Sequence, residues 1–389
     1  MNIKNKTLII QNCLQHYRVP FYDKLRLGLS KQGIQLDLIY GDGDASSRKR
    51  GGMASLPWGT PVKNHIIKIF GIELLWQPAL KYIKDYDLII VGQENKFLLN
   101  YILFIFQIFG GPRIAMWGHG ITARACNLSL IRNFVKKTYS RLPFWWFAYT
   151  KKSKDTVSSF GYPPEKITVV ENSIDTQSLR EASLAITDTE KRSILDKYGL
   201  IGENTCIYCG SLYKEKNLSF LIDACDILAN KVRNFELIII GSGEERPFVE
   251  EKARQYSWIK YFGDRYDREK AELFNCSKLL LMPGAVGLAI LDSFVFGKPI
   301  VTTDNPYNGP EIVYLDNGNN GMMTSYDATE YTSAIIKLLE DSALYAKIQK
   351  GALGSGQRYS IDRMVNNFVT GVEKILAIAQ GLKTTYRWI

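Results

Sequence analysis

Short apolar runs of strand length alternate with segments of helix length along this chain, and the alternation happens twice. In the first half the strand-like runs are 7–11, 35–40, 65–69, 87–91, 113–117, 144–149 and 167–171, with helix-length segments at 22–32, 98–109 and 128–140. A polar, charged stretch over 175–204 interrupts the pattern. It restarts with strand-like runs at 205–209, 236–240, 258–262, 278–282 and 299–302, separated by helical segments at 217–230, 247–255, 267–274 and 288–296. Strands that alternate with helices pair in parallel, because each crossover carries the chain back before the next strand begins. The expected fold is therefore α/β, with two doubly wound Rossmann-like domains facing each other across a cleft and ligands at the carboxyl ends of the strands. At 389 residues the chain is long enough for two such cores. The boundaries predicted are 1–175 and 176–361, followed by an amphipathic tail helix from 362.

The charge is one-sided. Residues 1–175 hold 24 lysines and arginines against 12 aspartates and glutamates, whereas the remainder holds 25 against 27. A basic first half suits a phosphate-rich partner. No helix-turn-helix, zinc-finger or RNP-type signature accompanies it, so no nucleic acid is expected and an anionic membrane surface is. Two apolar runs in the same half, 97–109 and 142–149, are shorter than the roughly 20 residues that cross a bilayer. The first reads either as a buried helix on a sheet or as a membrane contact. The second, aromatic and of strand length, reads as a core strand. Six scattered cysteines, and a beginning without the apolar core of a signal peptide, give an expected reducing, cytoplasmic location on the inner face of the membrane.

Chemistry concentrates at three strand-to-helix turns. Residues 278–303 place a proline-glycine turn between a strand and a helix, so that backbone N–H groups at Gly284, Ala285, Val286, Gly287 and Leu288 face a potential phosphate, with Asp292 further along the helix. Residues 210–217 follow a strand and carry Ser211, Lys214 and Lys216 near a helix start, which suits a pyrophosphate or a solvated loop. Gly241-Ser242-Gly243 is a phosphate turn or simply a tight one; as a dinucleotide fingerprint it fails, because Arg246 stands at the third glycine. Asp42-Gly43-Asp44 formally matches a metal-binding Asp-x-Asp, but its Gly/Asp/Ser-rich setting reads as a solvated turn. Cys206 and Cys209 lie inside one strand, three histidines offer little for zinc, and no Gly-x-Ser-x-Gly elbow occurs. No metal and no cofactor are expected.

Taken together, the second half resembles the retaining glycosyltransferases of family 4, which have the GT-B fold. Their pattern G-R-L, E-K-N, L-I-x-A is matched by Gly210-Ser211-Leu212, Glu215-Lys216-Asn217 and Leu221-Ile222-Asp223-Ala224. Their P-S-x-x-E-G-F-G-L-x-x-L-E-A-M-A-x-G-x-P-V-V is echoed by residues 283–301, and Glu311-Ile312 with Gly318-Asn319-Asn320-Gly321 follow in order. Asn172-Ser173-Ile174-Asp175 stands at the family's interdomain crossover, and residues 11–25 look like the opening of bacterial polysaccharide transferases.

The resemblance implies roles. Lys216, with Lys214 and the position of Ser211, binds the donor diphosphate; Asp292 accepts hydrogen bonds from the ribose; His119 touches the reacting sugars; His16, Tyr17 and Arg18 face the acceptor. Glu311 either binds the donor sugar or caps the next helix. Two positions depart from the family: Ser211 replaces an arginine, and Gly284 replaces the first glutamate of Glu-x7-Glu. The implied activity is metal-independent transfer, with retention, from a nucleoside-diphosphate sugar, UDP preferred over GDP, to a polyprenyl-diphosphate-linked glycan in lipopolysaccharide O-antigen, capsule or exopolysaccharide synthesis. A nucleotide-sugar epimerase and a silent sugar-nucleotide-binding partner are the rival readings. The tail helix is implied to return to the first domain.

Overall fold

A computed structural model of the chain describes residues 3–44, 53–69, 72–120 and 137–385. The chain forms two units, residues 1–172 with 361–389 and residues 173–360. The divisions fall at 172 and 360, where 175 and 361 were expected.

The N-terminal unit is built on a seven-stranded parallel sheet. Its strands are β1 (Asn5–Gln11), β2 (Ile34–Tyr40), β3 (Thr60–Pro61), β6 (Leu88–Gly92), β7 (Arg113–Gly118), β8 (Trp145–Ala148) and β9 (Ile167–Val169), in the order β3-β2-β1-β6-β7-β8-β9. The central strands are buried along nearly their whole length, as parallel strands covered on both faces must be. The run at 65–69 is a strand, β4 (His65–Ile69), but it joins no parallel sheet. It pairs antiparallel with β5 (Ile72–Trp76) as a separate hairpin. β4 is exposed at every residue, so it lacks the two covered faces that a sheet interior requires. The expected helix over 128–140 lies mostly outside the described residues; 137–141 are helical.

The helix Ile361–Thr385 completes this unit. It packs on the helix Val19–Lys31 and on β8 and β9, with Phe368 stacked on Phe147 at 4.6 Å between ring centroids and edge-on to Trp117 at 5.0 Å. The backbone of Gly371 rides against the Phe147 ring so closely that an added Cβ would sit 2.4 Å from it. The second apolar run is the core strand β8, buried at all four residues. The first is the helix Leu98–Ile108, which buries Leu99, Leu103 and Phe104 but leaves Ile105, Phe106, Ile108 and the following Phe109 exposed. No helix among the described residues is long and apolar enough to cross a membrane.

The C-terminal unit has a six-stranded parallel sheet of β10 (Asn204–Cys209), β11 (Phe235–Ile240), β12 (Ile259–Gly263), β13 (Leu279–Met282), β14 (Ile300–Thr303) and β15 (Gly321–Thr324), ordered β12-β11-β10-β13-β14-β15. The chain first builds outward from β10 to β12, then returns to the other side of β10, so the order reverses between β10 and β13. The polar stretch 175–204, which interrupts the alternation in the sequence, is structured. It holds two helices, Thr176–Leu184 and Asp188–Tyr198, started by Asp175 and by a Thr187–Glu190 capping box and ended by Gly199 in the left-handed region. Lys197 and Arg268 bind Glu272 at 2.7 and 3.3 Å, and Arg268 also reaches Glu190 at 3.0 Å, which pins this pair of helices to the helix Asp267–Asn275.

Candidate functional site

Where strand order reverses, the loops leaving two neighbouring strands diverge and open a crevice at the sheet's carboxyl edge. In the C-terminal unit those loops are 210–217, after β10, and 283–288, after β13. They interlock through main chain: the Ala285 amide donates to the Glu215 carbonyl at 2.8 Å, and the Lys216 ammonium donates to the Ala285 carbonyl. Lys216 ends a short 3-10 turn (Lys214–Lys216) and is buried, whereas Lys214 on the same turn is exposed. Burial pulls the Lys216 ammonium down to about 8, against the opposing influence of Cys209 and Glu311. A buried cation close to neutrality gains most from an arriving anion, because the anion restores what desolvation removed. Asn217 follows in the left-handed region and heads the helix Leu218–Lys231.

Gly284 lies against this interlock. A Cβ there would sit 2.2 Å from the Lys216 carbonyl carbon and 2.5 Å from the Glu215 oxygen, both backbone atoms. The position therefore has no room for the glutamate of the family pattern. The loop is also short: in that pattern the proline and the second glutamate are twelve positions apart, and Pro283 and Asp292 are nine apart.

The expected row of amide donors is partly corrected. Ala285 and Val286 have theirs engaged inside the protein, by Glu215 and by Asn308 Oδ1 at 2.9 Å. Among the described residues the amides of Gly287, Leu288 and Ala289 meet no acceptor, and they head the helix Ala289–Phe296. A Cβ on Gly287 would meet nothing within 4 Å, so space stands over this helix head. N–H groups at the positive end of a helix are the setting in which proteins ordinarily bind anions.

Asp292 and Glu311 are both buried. Asp292 is not solitary: its Oδ1 pairs with Lys270 Nζ at 2.6 Å and its Oδ2 accepts from the Cys209 thiol at 3.7 Å. Burial pushes that thiol up to about 12, so Cys209 offers no thiolate nucleophile. Glu311 sits on the 3-10 turn Pro310–Tyr314, within reach of Lys216 as an opposite charge. Ser211 contributes its main-chain oxygen to the Tyr208 hydroxyl at 3.0 Å.

Gly241-Ser242-Gly243 belongs to the neighbouring turn. Cβ atoms on its glycines would strike Gly210 O at 1.9 Å and Leu212 O at 2.3 Å, and Ser242 Oγ donates to Asp264 at 2.6 Å. Close backbone approach to the 210–212 turn accounts for both glycines. Asp42-Gly43-Asp44, expected to be a solvated turn, is instead structural. Asp42 accepts the Asn64 amide at 2.8 Å, and buried Asp44 is ion-paired with Lys96, which also lies 3.2 Å from Glu94. Among the described residues no group of three or more His, Cys, Asp or Glu side chains is placed to hold a metal ion.

The remaining candidates belong to the N-terminal unit. His119 follows β7, half-buried, with its ring 5.6 Å from that of Tyr149. His16 and Tyr17 are exposed on the 3-10 turn His16–Arg18. Arg18 does not share their exposure. It is buried, donating to Asn172 Oδ1 at 2.6 Å and stacked over the Trp117 ring at 5.2 Å, so it packs into the core of this unit.

Sequence reasoning missed Lys270 and the 303–309 loop. Thr303 Oγ1 and Asn305 Nδ2 hold the Pro283 carbonyl at 2.5 and 3.3 Å, and the Gly309 amide takes Val286 O at 2.7 Å. The run Asn305-Pro306-Tyr307-Asn308-Gly309-Pro310 was a usable signal, since a turn-rich loop after a neighbouring parallel strand must emerge at the same edge. Nothing in the pattern of the helix Asp267–Asn275 singles out Lys270.

Residues 203–341 match the sequence profile of the family described as "Glycosyl transferases group 1". Among curated proteins, the chain is 22% identical to alpha-D-kanosaminyltransferase of Streptomyces kanamyceticus over 43% of this chain and 45% of the relative. It is 24% identical to O-antigen chain mannosyltransferase B of Escherichia coli, over 49% of each. The chain thus spans about half the length of the curated relatives it matches. Among solved structures, Anabaena Alr3699/HepE in complex with UDP superimposes with a TM-score of 0.71 at 16% identity, covering 95% of this chain and all of that one. That likeness establishes the fold: two Rossmann-like parallel-sheet units of the GT-B architecture.

Proposed function

We propose that this chain is a retaining, metal-independent glycosyltransferase that moves a sugar from a UDP-linked donor to a lipid-linked glycan in bacterial surface-polysaccharide synthesis. The observation that carries the reading is the buried Lys216 ammonium held by the loop that leads to the amides of Gly287, Leu288 and Ala289, at the strand-order reversal of a segment that matches a glycosyltransferase family. A cation and a helix head together match the charge that develops on a departing diphosphate. UDP as the nucleotide is supported by the complexes of the structural relative, and a glycan acceptor by the curated transferases.

In the reaction, the acceptor hydroxyl oxygen bonds to the anomeric carbon on the face from which the diphosphate leaves. The bond from that carbon to the phosphate oxygen breaks, and the hydroxyl proton passes to the leaving phosphate. Lys216 and the helix head hold the diphosphate, Asp292 takes the ribose and Glu311 the donor sugar. Lys214, exposed on the rim, adds positive potential. His119, His16 and Tyr17 serve the acceptor from the N-terminal unit.

That unit is also the membrane-facing one in this reading. Its basic excess and the exposed apolar face of the helix Leu98–Ile108 suit peripheral attachment to an anionic leaflet.

The test is to incubate the protein with UDP-glucose, UDP-galactose and their N-acetyl counterparts, with and without bacterial membrane lipid extract, and to measure free UDP and the anomeric configuration of any product. Release of UDP that depends on the extract, with retained configuration, is expected. Donor that binds and is never consumed would replace this reading with that of a silent sugar-nucleotide-binding protein, for which the crowded Gly284 is the favouring observation.

A further inference from the structure

The ion pair of Lys270 with Asp292 has the geometry of a support and not of a surface bridge. Lys270 comes from the helix Asp267–Asn275 after β12, Asp292 from the helix Ala289–Phe296 after β13, and their charged atoms are 2.6 Å apart with side chains only 14% and 4% exposed. Burial alone would lower the Lys270 ammonium, yet it is raised, chiefly because Asp292 offsets desolvation through its charge and its hydrogen bond. Cys209 approaches the second carboxylate oxygen at 3.7 Å. Each oxygen of Asp292 is thus addressed from one side and retains a further lone pair for another donor.

An aspartate is a methylene shorter than glutamate and has fewer torsions to search. Buried and paired with Lys270 at 2.6 Å, its carboxylate is fixed in direction, at the edge where a nucleotide would lie. We propose that Lys270 is a positioning residue that holds Asp292 aimed to accept hydrogen bonds from the donor's ribose hydroxyls. This rests on the nucleotide-site reading above, and it adds a residue that reads the sugar of the nucleotide without touching it.

The experiment compares UDP, 2′-deoxy-UDP and inorganic pyrophosphate by titration calorimetry on the full chain, for wild type, Lys270→Gln and Lys270→Arg. Wild type is expected to prefer UDP over its deoxy analogue by about tenfold or more, the range of one hydrogen bond to a charged group. Lys270→Gln should reduce that ratio below about threefold with pyrophosphate affinity within about twofold of wild type, and Lys270→Arg should fall between, since a guanidinium keeps the charge and shifts the carboxylate. A merely structural lysine would move all three ligands together. An unchanged ribose ratio in Lys270→Gln overturns the proposal; if that variant fails to fold by circular dichroism, an unchanged ratio in Lys270→Arg does so. Wild type binding UDP and 2′-deoxy-UDP equally would overturn it while leaving the nucleotide site standing. No affinity for UDP or pyrophosphate would remove both.

Discussion

The Lys216 ammonium donates to the carbonyl of Ala285, so a buried cation is held by the very loop that leads into the helix Ala289–Phe296. Lys216 near 8 in the empty protein must be charged to meet a diphosphate. A lysine whose folded value is depressed loses its proton as pH rises, so UDP affinity should be level to about pH 7.5 and fall above about pH 8, approaching tenfold per unit. Lys216→Ala should abolish that slope and weaken UDP by about 10- to 100-fold, the range of a charge-assisted bond. Calorimetry from pH 7 to 9.5 checks both; a flat profile in wild type would sink the assignment.

Gly284 makes a second case. Any side chain there meets the backbone of Glu215 and Lys216, which has no flexible end to yield. Gly284→Ala is expected to cost about 1–3 kcal/mol of stability, the range for overpacking, and to weaken UDP as the 210–217 loop shifts. Thermal melting and calorimetry decide; a variant with wild-type melting temperature and UDP affinity would show that the two loops are not interlocked.

Asp44 separates stability from chemistry. Asp44→Asn strips Lys96 of its buried partner but leaves Glu94 at 3.2 Å, and Lys96 is about a third exposed, so the loss should be modest, about 1–2 kcal/mol. UDP affinity should be unchanged, and added Mg²⁺ or Mn²⁺ should restore nothing. Cation-dependent rescue of activity in this variant would revive a metal role for Asp42-Gly43-Asp44.

The helix Leu98–Ile108 gives a surface prediction. Ile108→Asp and Phe109→Asp remove apolar groups that are 73% and 83% exposed, so the fold should tolerate them. Sedimentation with vesicles containing phosphatidylglycerol should drop several-fold for the double variant, and wild-type binding should weaken with salt. Equal sedimentation of the two proteins would mean that this face is not the attachment surface.

Much of this architecture was legible in the chain, for identifiable reasons. Fully buried parallel strands such as Leu279–Met282 are continuous apolar runs, and the segments between them have helical length, so both parallel sheets showed. What escaped was set by partners distant in sequence. β4 has the look of any strand, and only pairing with Ile72–Trp76 makes it a hairpin. The 175–204 stretch carried its signals in view, Asp175, Thr187 with Glu190, and Gly199, but its low hydrophobicity left it without an assigned element. In the site, Lys216 followed from its motif. Lys270 and the internal engagement of Ala285 and Val286 arise from the meeting of elements 22 residues apart or more, which no local pattern encodes. The burial of Arg18 escaped for the same reason, since Asn172, which binds its guanidinium, lies 154 residues away.

The helix Ile361–Thr385 has a temporal consequence. The N-terminal unit is the first to be synthesised, yet the side chains that seal its core, Met364, Phe368 and Val372 among them, arrive after all of residues 173–360. At about 5–20 residues per second the ribosome needs roughly 10–40 s to make that intervening segment. During this interval the second unit has its whole sequence available and can finish folding, while Phe21, Trp117 and Phe147 of the first stand uncovered. Birth order and completion order are thus inverted, and the vulnerable species in the cell is a nascent chain whose older half is waiting for its last helix.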